Sequence, residues 1–458
     1  MNKKREFSYK DIDLKPSYHK HLFYIPKQKS KPLKDSVKLL LVLAQRVFTT
    51  LFYKAPKTKS IDIPKGQRIF IVNSLQQASF WEKTIIEANV HNAYFLINDD
   101  IVKKNQLEEL ITFFTSAQYN YLNLSFASFY NPKKISYISC LFSIFVKICV
   151  AKRKSTISKY NLFLFYSNTT RKIDTYQSLF SKLGPSQVFV LAYEVEPFAH
   201  IFTNIIHQIG GKLINSMNGL KAVDPRNSNT NFDAWLIWSN SQYKMLTIYN
   251  KTPARQLHIV GHLHADNIWE FRQTNQNNKG SHSKNHKRTI AIFSQPYPKG
   301  NDKNRLDFLS TVNHFLQDNP DYLGIIKPHP RESFEDFEKY LNFNLSNISY
   351  FDDSGTDKRR LYSLINKSDY ILVMYSTVAV ESLFFAKPVF SYVSKGEIDL
   401  LPISEDLVPR FSDVTGLKKL IEEYYLQHKR QSDKLIYEIG WLDGQNNKRA
   451  AKIINELL

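Results

Sequence analysis

Short unbroken apolar runs, each followed by a helix-patterned stretch, constrain this chain more than any other feature. Arg68-Ile-Phe-Ile-Val72, Ala93-Tyr-Phe-Leu-Ile97, Tyr160-Asn-Leu-Phe-Leu-Phe-Tyr166 and Gln187-Val-Phe-Val-Leu-Ala192 have this character. So do Lys212-Leu-Ile-Asn215 and Ala234-Trp-Leu-Ile-Trp238. Runs of this length suit strands buried on both faces, and the helices between them suit parallel crossovers. The polar stretch from Gln273 to Lys287 then interrupts the series, after which it resumes. Arg288–Phe293, Tyr322–Ile326, Ser368–Tyr375 and Pro388–Tyr392 are the new strands, with helices predicted over 305–318 and 378–386. The expected class is α/β: two Rossmann-like domains facing a cleft. The predicted divisions are a basic leader with an amphipathic helix (1–60), a first domain (61–270), a linker (271–287), a second domain (288–413) and C-terminal helices (414–458).

A length of 458 residues suits two domains better than one. Lys and Arg total 62 against 42 Asp and Glu, a net charge of +20 that favours anionic partners. Cys140 and Cys149, the two cysteines, lie in one apolar stretch and form neither a disulfide framework nor a CxxC metal pattern. A cytoplasmic location is expected, since the charged first residues have no apolar signal-peptide core. Val37–Tyr53 and Ile135–Val150 are apolar but too short or too interrupted to predict a spanning helix, which needs about 20 apolar residues. Lys38, Gln45, Arg46 and Thr49 fall on one helix face of the first stretch, and lysines flank it. That pattern suits a helix lying on the inner membrane surface, or an ordinary buried helix.

Chemistry-bearing residues cluster just beyond strand ends. Lys327-Pro-His-Pro-Arg331 follows the strand ending at Ile326, and its two prolines stiffen the loop around His329. Lys327, His329 and Arg331 offer cations or donors suited to phosphate. Tyr375-Ser-Thr-Val378 marks a strand passing into a helix, where free N–H groups and the hydroxyls of Ser376 and Thr377 suit an anion. Simple N-capping by Ser376 is compatible with that role. Glu381, one turn beyond Thr377, has a carboxylate able to accept from ribose hydroxyls, or is a solvated helix glutamate.

Together, Ile325-Ile-Lys-Pro-His-Pro, Ser368-Asp-Tyr-Ile-Leu-Val-Met-Tyr-Ser-Thr-Val-Ala-Val-Glu-Ser and Ala386-Lys-Pro-Val resemble the C-terminal domain of GT-B glycosyltransferases. The resemblance is to bacterial sialyltransferases, polysialyltransferases and capsule or lipopolysaccharide transferases, and it covers roughly Arg288 to Tyr392. It implies a nucleotide-activated donor, a CMP-sugar, with His329, Ser376 and Thr377 at its phosphate and Glu381 near the ribose. It also implies a glycan or glycolipid acceptor in the first domain, no bound metal and no cofactor, the nucleotide-sugar being a substrate.

The first domain is less sharply marked. Tyr193-Glu-Val-Glu-Pro197 follows a strand, so Glu194 and Glu196 are candidates for the base that takes the acceptor proton, with Asp99 and Asp100 as alternatives. Each is equally a turn or helix-start carboxylate. Asn218 and Gly219 stand on the acceptor side, where the similar family often has Gln-His-Gly; the histidine is replaced here. Asp352-Asp353 follows the His329 loop, in the wrong domain for the base. His258, His262 and His264 have no partner at a diagnostic metal spacing. Three rivals stay open: a CDP-glycerol-type polyol-phosphate transferase, a donor-binding pseudoenzyme, and a nucleic-acid-binding protein, for which no reading motif is present.

Overall fold

A computed structural model describes residues 8–9, 12–13, 32–52, 63–72, 75–86, 89–90, 92–98, 104–124, 134–150, 159–183, 187–191, 199–217, 232–249, 251–275, 287–295, 303–329, 332, 334–338, 340–351, 358–397, 399, 401–427 and 432–457. Ser8–Tyr9 and Ile12–Asp13 pair as a minimal antiparallel ladder. Helix α1 (Pro32–Phe52) precedes a seven-stranded parallel sheet built from β1 (Arg68–Val72), β2 (Ala93–Asn98), β3 (Tyr121–Leu124), β4 (Val188–Leu191), β5 (Lys212–Ser216), β6 (Ala234–Ile237) and β7 (Leu257–Ile259). Its order is β3-β2-β1-β4-β5-β6-β7. Helices α2 (Leu75–Ile86), α3 (Lys104–Ser116), α4 (Lys134–Val150), α5 (Lys159–Leu183), α6 (Ala199–Gln208) and α7 (Asn240–Ile248) alternate with those strands.

Helix α8 (Ala265–Asn275) leads to a second parallel sheet of six strands. These are β8 (Arg288–Phe293), β9 (Tyr322–Lys327), β10 (Ile348–Tyr350), β11 (Tyr370–Val373), β12 (Val389–Tyr392) and β13 (Arg410–Phe411), in the order β10-β9-β8-β11-β12-β13. Helices α9 (Lys303–Asp318), α10 (Lys358–Lys367), α11 (Val378–Phe384), α12 (Val414–Gln427), α13 (Ser432–Ile439) and α14 (Asn446–Glu456) complete the chain. In each sheet the chain runs outward over three strands and then returns to the far side of the first. The order therefore reverses between β1 and β4, and again between β8 and β11. In open α/β sheets such reversal points open a crevice at the carboxyl ends of the strands.

Two apolar clusters sandwich the first sheet and two the second. The α/β class and the paired Rossmann-like domains therefore stand, with two corrections to the elements. Tyr160–Tyr166, expected as a strand, is the start of α5. Its buried residues Phe163, Tyr166, Ile173, Tyr176, Phe180 and Leu183 continue a helical period far beyond the apolar run. The predicted linker begins inside α8, which carries 271–275 before 276–286, a segment outside the described residues. The last helix, α14, belongs to the first sheet's packing: Ala450, Ala451 and Ile454 pack with Trp81, Val72 and Val260.

Both ends of α14 are capped from segments far earlier in the chain. Asp266 accepts from the Asn446 and Asn447 amides at 3.1 and 2.8 Å, and Arg68 donates to the Asn455 carbonyl at 3.3 Å. These bonds satisfy terminal groups that a helix cannot satisfy itself. Two glycines permit the crossing. Gly261 has φ +89°, and a Cβ there would lie 2.3 Å from the Asn446 side chain. Gly440 has φ +91°, and a Cβ would lie 2.4 Å from the Trp238 carbonyl oxygen.

Candidate functional site

The second sheet's reversal point gathers the donor-side candidates. Strands β9 and β11 flank β8, so their carboxyl ends deliver the His329 loop and the Ser376–Thr377 turn to either side of Ser294, which follows β8. Lys327 is the last residue of β9, and His329 lies half-buried two residues beyond it.

A carboxylate that the sequence reading missed holds this loop. The Glu332 side chain is 2% exposed and reaches back to the loop. Its Oε2 accepts from the His329 backbone N–H at 2.9 Å, while Oε1 accepts from the Ser294 hydroxyl at 2.9 Å. Arg305 Nε of α9 lies 3.1 Å from the same Oε1, and the arginine also donates to the Asp336 carbonyl and lies over the Phe337 ring. One side chain thus ties the ends of β8 and β9 to α9. Burial pushes the Glu332 carboxyl above its usual range, against the His329 amide, the Ser294 hydroxyl and the Arg305 charge, which all favour the carboxylate. The local signal in the sequence was an acid three residues after His329, the reach that lets a carboxylate accept from a backbone amide three positions back.

Across β8, the Ser376 oxygen accepts from the Val378 amide at 3.3 Å, so the capping role expected of it is present. A hydroxyl that accepts in this way can still donate its proton. Thr377 is half-buried and makes no side-chain cap. Glu381 is not a solvated helix residue: its side chain is 3% exposed. Lys358 of α10 donates to Oε1 at 2.9 Å, and Oε2 has no hydrogen-bond partner among the described residues. Tyr362 stands one turn from Lys358. Burial first, then the Glu381 charge, hold its phenol well above the usual range. Lys358 and Glu381 are 23 positions apart, and their meeting left no local mark in the sequence.

The first domain meets this corner through its crossing segment. His262 lies edge-on to Trp238 with centroids 4.0 Å apart, and its ring is 6.2 Å from that of Phe384 in α11. Burial, and then the Lys358 cation, push His262 down to about 3. His264, packed against Phe80 at 4.8 Å, is lowered well below its usual value by the same causes and by His262. Both imidazoles are neutral near neutral pH. Among the described residues His258, His262 and His264 join no group of three metal-ligating side chains. Lys83 and Glu270 pair across α2 and α8, and Arg272 donates to the Phe384 carbonyl at 2.6 Å.

Strand β4, on the far side of the first sheet's reversal point, ends at Leu191, and β5 at Ser216. The candidates that follow them, Glu194 and Glu196 and then Asn218 and Gly219, lie outside the described residues. Asp99, Asp100, Arg331, Asp352 and Asp353 do as well. The structure therefore brings together Lys327, His329, Ser376, Thr377 and Glu381 around one strand, adding Ser294, Glu332 and Lys358.

No protein-family model matches this sequence, and no curated protein does. Solved structures do resemble the fold. The chain is similar to S. aureus MnaA in a co-structure with UDP, with TM-score 0.54 and 10% identity, covering 84% of this chain and 94% of that one. UDP-GlcNAc 2-epimerase from Neisseria meningitidis bound to UDP-GlcNAc gives 0.53 and 12%, over 86% and 99% of the two chains. The Methanocaldococcus jannaschii UDP-GlcNAc 2-epimerase in complex with UDP-GlcNAc and UDP gives 0.53 and 12%, over 86% and 100%. The common architecture is GT-B: two parallel-sheet domains facing a cleft.

Proposed function

We propose that this chain is a glycosyltransferase that moves a sugar from a CMP-activated donor to a cell-surface glycan or glycolipid. One observation carries the reading: the His329 loop and the Ser376–Glu381 turn and helix flank β8 at the sheet's reversal point, with a buried Glu381 carboxylate oxygen that has no partner among the described residues. A nucleotide suits that layout. Lys327, His329 and Arg331, with the Ser376 and Thr377 hydroxyls, would neutralise the departing phosphate in place of a metal ion. Glu381 Oε2 would accept from a ribose hydroxyl while Lys358 holds Oε1. A first-domain carboxylate, Glu194 or Glu196, would take the acceptor hydroxyl proton as the new glycosidic bond forms and the bond to CMP breaks. Asn218 and Gly219 would line the acceptor side.

Calorimetric titration with CMP, CDP, UDP and GDP, beside His329→Ala, tests this. Tight CMP binding that weakens on the order of tenfold in the variant is the expected result, in line with loss of one charge-assisted contact. Absence of binding to all four nucleotides would sink the reading. The fold shared with UDP-GlcNAc 2-epimerases motivates a second reading, an enzyme acting on a UDP-sugar. UDP preference, with a rearranged UDP-sugar and no transfer product, would replace the first by the second. A phosphodiester product from CDP-glycerol would instead establish polyol-phosphate transfer.

A further inference from the structure

Helix α1 carries two apolar stripes on opposite sides. Leu39 and Leu43 are buried, with Thr50 on the same side, and join the core that also holds α5 and strand β1. Leu41, Phe48 and Phe52 also share one face, at about 100° per residue, yet they are 65, 62 and 68% exposed. Phe48 and Phe52 pack against each other with centroids 4.5 Å apart and their rings tilted by 43°. Lys38, Gln45 and Thr49 are exposed beside that stripe, while Arg46, half-buried, donates to Asn168 of α5 at 2.7 Å and Lys38 lies over the Tyr160 ring.

Helix α4 repeats the arrangement. Tyr137, Leu141, Ile144 and Ile148 enter the same core as α1. Ile135, Phe142 and Val146, spaced seven and four apart, are 87, 49 and 54% exposed. Both helices rest on α5 and on each other, so the outward stripes belong to one outer layer of the first domain. The sequence around them is one-signed. Residues 31–59 contain Lys31, Lys34, Lys38, Arg46, Lys54, Lys57 and Lys59 against Asp35 alone. Residues 133–159 contain Lys133, Lys134, Lys147, Lys152, Arg153, Lys154 and Lys159 and no acid.

We propose that α1 and α4 together form a platform that docks this domain on an anionic lipid surface. Exposed aromatic and aliphatic side chains set among cations are what an acyl boundary beneath phosphate headgroups accommodates. A second copy of the chain would bring two positive faces together. Nucleic acid would answer the charge and leave the apolar stripes in water. Among the described residues no helix is long and apolar enough to cross a membrane, so the contact is superficial. The inference is independent of the donor chemistry.

Sedimentation of the full chain with phosphatidylcholine vesicles, with and without phosphatidylglycerol, provides the test. The paired variants are L41E/F48E in α1 and F142E/V146E in α4, with thermal unfolding monitored to show that each still folds. The chain is expected to bind the anionic vesicles and to release as salt rises. Each pair should lose binding by about tenfold or more with its melting point unchanged. The proposal is overturned if the parent chain stays in the supernatant, binds both vesicles alike, or binds undiminished when either pair is changed. It is also overturned if the parent is a dimer in solution that these substitutions dissociate.

Discussion

Glu332 and Glu381 are buried carboxylates on either side of β8, and the fold completes one but not the other. Glu332 has both oxygens engaged, by a backbone amide, a hydroxyl and a guanidinium. Glu381 has one oxygen on Lys358 and one with no partner among the described residues. A buried acceptor left unmade costs about 1–3 kcal/mol, so a fold keeps one where something else supplies the donor. The contrast separates a strut from a proposed reader: Glu332 shapes the loop that presents His329, and Glu381 keeps the oxygen that the proposed ribose contact would use.

The largest effect should come from breaking the strut. Glu332→Ala strands Arg305 in a buried site and should destabilise the chain by about 3 kcal/mol in urea unfolding. An unchanged midpoint would remove the strut reading. Next comes the reader. Glu381→Gln should cost about 1 kcal/mol of stability or less while lowering ribonucleotide affinity on the order of tenfold. A 2′,3′-dideoxynucleotide should bind the parent and the variant alike, and calorimetry with both ligands decides the matter.

Acid titration then sharpens the comparison. Burial holds the Glu332 carboxyl above its usual range, so the folded chain keeps a proton that the unfolded chain releases first. Its contribution to stability is full below the unfolded pKa and is lost as pH rises through the raised folded value. Glu332→Gln should flatten that segment of the stability–pH curve, whereas an unaltered curve would contradict the burial argument. The smallest effect belongs to a more exposed pair, His207 and Asp233, 2.9 Å apart. The hydrogen bond to Asp233 raises His207, so that part of the stability is lost as pH climbs through the raised value. Asp233 is lowered by His207, the Leu213 amide and Lys212 against the opposing effect of burial, so its share is lost as pH falls through the depressed value. Solvent screening holds the pair to about 0.5 kcal/mol, and His207→Ala should show that loss only between those limits.

What the sequence shows and hides follows from where packing is two-sided. Central strands such as β1, β4, β8 and β11 announce themselves as apolar runs because helices cover both faces. In the two parallel sheets the strands it misses are β3, β10 and β13, all at sheet edges, where Tyr121-Leu-Asn-Leu124, Ile348-Ser-Tyr350 and Arg410-Phe411 leave little apolar pattern to read. The opposite error, at Tyr160–Tyr166, arose because a short apolar run does not distinguish a buried helix from a strand; the period appears only over the full length of α5. At the candidate site, His329, Ser376 and Glu381 were legible because loop chemistry follows strand ends. Lys358 was not, since only the tertiary fold brings α10 beside α11.

The caps on α14 also carry a consequence for synthesis. Arg68 and Asn455 are 387 positions apart, yet they close the same layer of the first sheet. As the chain emerges from the ribosome at ~5–20 residues per second, the surface over Trp81 and Val260 therefore waits on the order of tens of seconds for its cover. Through that interval the nascent first domain presents an open apolar flank while the second is still being made. The half of the molecule translated first is the half finished last.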